Sequence, residues 1–298
     1  MSDLVDRLEE FLDAPLAAAF FVVADHDGLG ADDLADPATA CTLAATAVGE
    51  LDPWSGDAPR VRARAVEAVR DLRPLVRRVL ADERNTWWQA PLRREAQLHL
   101  AGRDDRVPDA SAVPVLQGPL NRWETYAQRG EHTLITSTEL PVPPESPVRS
   151  GAHAVLAHGG GDWQPGYPVR QQRLRVAEHA RVAEVHSPAD WHDLVARYGD
   201  PTTHPGSDAH LARSGEVDNG LAPTWSALAA DLDGVHLSFA GLLSALFVPL
   251  TSADVGTTTL WSWEHEGTRW VRSVFTATGE LPPLERAPEV AGHASPWW

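Results

Sequence analysis

The sequence predicts an α+β fold: a helical N-terminal segment over residues 1–84, packed on a mixed, largely antiparallel sheet in a second segment, residues 85–298, with the two forming one integrated unit. Three observations carry this expectation. Apolar residues recur at helical spacing as far as Asp82; from Asn85 onward the pattern shortens to alternating segments punctuated by Pro; and Glu266-Gly267 reads as a two-residue turn joining two strands into a hairpin.

The helical part opens with Leu4, Val5, Leu8, Phe11, Leu12 and Leu16 on one face, and Pro15 kinks or divides this helix. His26 and Asp27 fall in a turn-forming cluster that reads as a polar loop. Asp36 is placed to cap a helix from Pro37 to Val48. A third helix spans about Pro59 to Asp82, bent at Pro74, with Val61, Val66, Val69, Leu72, Val76 and Leu80 inward. Its Arg residues, Arg62 among them, face outward.

Beyond Asn85, residues 97–101, 113–116 and 132–140 read as strands, the last by alternation. Pro141 to Gly166 is rich in Pro, Gly and Ser and reads as a long loop: a lid, a partner-binding segment or a disordered segment. Strands are expected again at 173–177 and 180–185. Ser187-Pro188-Ala189-Asp190 then starts a helix that ends at Gly199, with Trp191 on its core face. The segment 200–219 reads as a polar loop, although His204, Asp208 and His210 have a spacing that suits a metal.

Composition narrows the chemistry. One cysteine, Cys41, excludes a disulfide framework, a thiolate zinc site or an iron–sulfur cluster built from this chain alone. All 25 basic residues are Arg, so no Lys is present to form a Schiff base or complete a Walker phosphate loop. A net charge of −17 disfavours nucleic acid and favours neutral or cationic ligands, or simply solubility. With no long apolar run and no basic leader, neither a membrane span nor secretion is expected, and the cytoplasm is the default.

The stretch Trp225 to Trp270 draws the candidate site. A short helix over 223–232 has Asp231 and Asp233 at its C-terminus, acids at the negative end of the helix dipole, which are either screened by water or held there for a task. His236 follows at the mouth of an apolar segment, and residues 257–265 alternate as a strand leading into the Glu266-Gly267 turn and a returning strand at 268–275. The expected catalytic residues are Asp233, His236 and Glu264. Trp225, Trp263, Trp270, Trp123, Arg129 and Trp88 are the expected substrate contacts, since several indoles near carboxylates box an ammonium or planar ligand. Paired Trp residues across a hairpin can equally be core. No metal or other cofactor is assigned.

The segments Trp87-Trp88, Trp123 to Arg129, Thr136-Ser137-Thr138, Pro188 to Trp191, Asp233 to Ser238 and Trp263 to Trp270 together resemble a Trp-rich family of actinobacterial proteins. That resemblance brings no activity with it, but implies a setting in natural-product biosynthesis, aziridine-type compounds included. An Arg before the Thr-Ser-Thr strand, followed much later by Glu264-His265-Glu266, is also similar in order to the Arg, Ser-Thr-Ser and Glu-x-Glu elements of ADP-ribosyltransferases, with Thr in place of two Ser. Three functions follow as expectations: an enzyme performing cofactor-independent acid–base chemistry, ring closure by an amine among the options, on an amine-bearing small molecule; a non-catalytic partner of a biosynthetic complex; or ADP-ribosyl transfer.

Overall fold

The computed structural model describes residues 4–51, 57–102, 134–158, 166–199, 223–261 and 263–289. Within them the chain is α+β, with ten α-helices and a seven-stranded mixed sheet. The expected strand at 113–116, the residues Trp123 and Arg129, and the His204, Asp208 and His210 cluster lie outside the described residues.

The first helix breaks where Pro15 cannot donate, giving α1 (Leu8–Asp13) and α2 (Pro15–His26). After the short α3 (Ala31–Leu34), Asp36 caps α4 (Pro37–Glu50) by accepting from the Thr39 amide. The long third helix is divided: α5 (Ala58–Ala68) passes through a 3-10 turn into α6 (Arg73–Ala81), with Pro74 in the first turn of α6. Arg62 is a correction. It is buried, its guanidinium stacked over Phe247 at 4.1 Å and Trp261 at 5.1 Å, because aromatic faces take up the cation that helical spacing alone directed to solvent.

The strands are β1 (Gln97–Ala101), β2 (Leu134–Thr138), β3 (Val169–Val176), β4 (Val182–Val185), β5 (Gly234–Leu237), β6 (Leu250–Ser252), β7 (Gly256–Thr258), β8 (Gly267–Trp270) and β9 (Phe275–Leu284). The large sheet has the order β4-β5-β8-β2-β1-β3-β9, antiparallel except for the parallel pair β4/β5, while β6 and β7 pair separately. The expected hairpin through Glu266-Gly267 is therefore absent. β8 inserts between β2 and β5, two partners distant in sequence, and Glu266 is buried rather than at an exposed tip.

Four further helices complete the chain: α7 (Gly151–His158), α8 (Pro188–Tyr198), α9 (Trp225–Asp231) and α10 (Phe239–Ala245). Helix α7 corrects the reading of 141–166 as loop throughout. It is short and nearly uniformly apolar, so it lacks the amphipathic period by which a helix is read. Ser187 and Ser238 cap α8 and α10, each accepting from the third amide of its helix. The main core joins Phe11 and Phe20 of the N-terminal helices with Trp88, Leu237 and Phe239, so residues on both sides of position 85 share one apolar interior. No helix of the described residues is long and apolar enough to cross a membrane.

Candidate functional site

Alternation along β5 sends Val235 and Leu237 into the main core and His236 to the opposite face of the sheet. There His236 lies beside its direct partners Glu184 on β4 and Thr268 on β8. Its Nδ1 is 2.5 Å from Glu184 Oε2, and its Nε2 is 3.2 Å from Glu266 Oε1. The ring is thus clamped between two carboxylates, neither of them the pair expected from the sequence.

Glu266 is only 7% exposed and both of its carboxylate oxygens are hydrogen-bonded. Thr138 donates its backbone amide at 3.1 Å and its hydroxyl at 2.7 Å, and the Ser137 hydroxyl is 3.0 Å from Oε2 and 2.9 Å from the Glu266 carbonyl. The network continues along the sheet. Gln97 donates to Thr138 and accepts from Thr136, whose Oγ1 in turn accepts from the Trp270 indole at 2.8 Å. Glu184 closes the other end: its Oε1 accepts from the Leu92 amide at 3.1 Å, and its side chain is 30% exposed. Of the three members, Glu184 offers the solvent-facing edge.

Burial alone would push the His236 imidazole towards neutrality. The hydrogen bonds and charges of Glu184 and Glu266 outweigh it and raise the pKa to about 9, so the ring is an imidazolium at neutral pH. Burial would likewise raise Glu266. The His236 cation and the Thr138 donors reverse this and hold its carboxyl below the usual range. The array is a cation flanked by two anions, one sealed and one at the surface.

The other expected residues are distributed as follows. Asp233 is buried, accepting from the Arg181 amide at 2.8 Å and pairing with Arg272 at 3.3 Å, so it ties β4, β5 and the end of β8 together. Glu264 is half-buried, and the Glu266 two residues on is the acid that enters the network. Trp88 is fully buried among Phe11, Phe20, Trp87 and Phe239. Trp263 is sealed against Trp191, with the Arg269 guanidinium over its ring at 4.7 Å. Trp270 belongs to a separate apolar cluster with Leu92, Leu134, Leu174 and Phe275, its ring close against Gly234, where a Cβ would come within 2.9 Å of it. Trp225 is partly exposed at the edge of the main core. Trp88 and Trp263 are thus sealed in the main core, with Trp225 at its edge, and Trp270 in a second cluster, so the large apolar area of these indoles goes into core packing.

Sequence reading missed Glu184 and the role of Ser137 and Thr138. The available signal was a charged residue inside an otherwise apolar strand, which asks for a buried partner of opposite charge. No family model, curated protein or solved structure matches this chain.

Proposed function

We propose that the chain is a small-molecule enzyme of actinobacterial specialised metabolism, whose acid–base centre is Glu184, His236 and Glu266 and whose substrate carries an amine. One observation carries the reading: a buried imidazolium held between two carboxylates, one with an edge open to solvent. Such buried charge adds little net stability over an apolar core, and strongly displaced pKa values cluster where proton transfer is performed. Glu184 would accept a proton from the substrate ammonium, its new O–H bond replacing the N–H bond, while the lone pair stays on nitrogen. The freed amine then attacks an electrophilic carbon of the same molecule, and the leaving group departs with its bonding pair. His236 holds Glu184 in place, and Glu266 holds His236.

The test is turnover of a panel of amine-bearing small molecules, followed by mass spectrometry with wild-type and Glu184→Gln protein. A loss of at least about 100-fold in the variant, with the fold intact, supports the proposal. Equal turnover removes it.

ADP-ribosyl transfer is the second reading, and a specific contact favours it. Thr136-Ser137-Thr138 and Glu266 are far apart in sequence, yet Ser137 and Thr138 hydrogen-bond the Glu266 carboxylate directly. In this reading Glu266 is the catalytic acid of the Glu-x-Glu element. Quenching of Trp fluorescence by NAD, together with release of nicotinamide that Glu266→Gln abolishes, would select it over the first.

A further inference from the structure

The acid–base array ends at a second imidazole that the fold positions but does not use. His186 is the first residue after β4, at the carboxyl end of the parallel pair β4/β5. Its backbone is fixed on both sides: the amide donates to Asp190 Oδ2 at 2.9 Å, and the carbonyl accepts from Arg7 at 2.7 Å. The ring is 30% exposed, and its Nε2 lies 4.0 Å from Glu184 Oε2, the same oxygen that contacts His236.

Two buried histidines among the described residues spend both ring nitrogens on structure. His153 contacts Ser150 and Gln171, and His192 contacts Thr258 and Ser252. The His186 Nδ1 is buried without a hydrogen-bond partner. A ring whose backbone is pinned, whose Nδ1 has no hydrogen-bond partner and whose Nε2 approaches only the Glu184 carboxylate, at 4.0 Å, is positioned for a task other than holding the fold.

We propose that His186 is the substrate-facing proton carrier of the site, passing a proton between the substrate amine or water and the Glu184–His236 pair. This inference rests on the acid–base reading above. The substrate N–H bond breaks with its electron pair remaining on nitrogen, and the proton bonds to His186 Nε2. The imidazolium so formed passes the proton on to the Glu184 carboxylate, its N–H bond breaking as the O–H bond forms, so that Glu184 receives the substrate proton through His186.

The charged and titratable groups facing the ring are Glu184 on β4, His236 on β5, Asp190 on α8 and Arg7 of the N-terminal 3-10 turn. Burial, His236 and Arg7 favour the neutral ring; Glu184 and Asp190 oppose them, and the net displacement is downward. A neutral and a charged imidazole thus share one carboxylate, the divergence expected of an acid–base pair.

The experiment is a pH titration of the full chain carrying 15N-labelled histidine, read by NMR in the wild type and in Glu184→Gln and His236→Asn. The His186 midpoint is expected below that of a free histidine, to fall further in Glu184→Gln by about 0.5 unit or more, and to rise in His236→Asn. A midpoint that does not move in Glu184→Gln overturns the inference. Should His236→Asn fail to fold, the Glu184→Gln arm decides, since that carboxylate is partly exposed. In a turnover assay, His186→Asn should lower kcat and remove the acidic limb of its pH profile, and an unchanged profile counts against His186. Coupled titration without turnover of any amine would instead refute the acid–base reading and leave the coupling standing.

Discussion

Nδ1 of His236 lies 2.5 Å from Oε2 of Glu184, its direct partner across the parallel pair β4/β5, and the cation held there also neutralises the buried Glu266. Removing the ring leaves a carboxylate in the interior without a counter-charge, which costs roughly 3–5 kcal/mol. His236→Gln should therefore lower the urea midpoint by an equivalent amount. Adding Glu266→Gln should recover part of that loss, because the uncompensated charge is then gone. If the two losses simply add, the pairing is not what holds this region.

The same pair sets a pH dependence. The folded His236 pKa of about 9 stands above its ordinary value of 6.5, so its stabilisation is complete below the latter and lost as pH rises through the former. A displacement of that size corresponds to about 3 kcal/mol for this fully buried ring. Glu266, displaced downward, expresses the same interaction from the acid side. Its contribution is present above the ordinary carboxylate range and lost as pH falls through its lowered value. Melting temperatures should decline between about pH 6.5 and 9 in the wild type. A flat profile, or an equal decline in His236→Gln, would remove His236 as the cause.

What could be read in the sequence was what is fixed locally. Asp36 and Ser187 cap their helices because a cap needs only the next few residues, and Pro15 ends α1 for the same reason. The α+β class was readable from the change of period near Asn85. The partners of β8 were not, since alternation around Trp261 and Trp263 is equally consistent with a local hairpin and with insertion between β2 and β5. Likewise His236 stood out as a candidate, but Glu184 lies 52 residues away and the Thr138 donors to Glu266 128 residues away, distances at which only the fold brings groups together.

Gly267, the first residue of β8, lies close against the backbone of β2. A Cβ at this position would sit 2.6 Å from the Thr136 carbonyl oxygen and 3.1 Å from the His265 ring, and the carbonyl belongs to backbone that cannot swing aside. Gly267→Ala is expected to destabilise by about 1–3 kcal/mol. It should also speed hydrogen exchange at the Thr138 amide, which bonds Glu266, ahead of amides in β3 and β9. Uniform acceleration across the sheet would mean that the close approach is not a local constraint.

Asp233 is held by contacts of its own, separate from those of His236. Its backbone amide donates to the Arg181 carbonyl, its own carbonyl accepts from Val271 and Arg272, and its carboxylate takes the Arg181 amide and the Arg272 guanidinium. All of these contacts hold the starts of β4 and β5 to the end of β8, and none of them reaches His236. Asp233→Asn keeps the shape and removes the charge, so a loss of about 1–3 kcal/mol is expected by chemical denaturation. The His236 titration should stay where it is in the wild type, and turnover of an accepted amine should be retained at temperatures where the variant is folded. A collapse in kcat with stability unchanged would return Asp233 to the reaction and count against the proposal that Glu184 is the base that receives the proton.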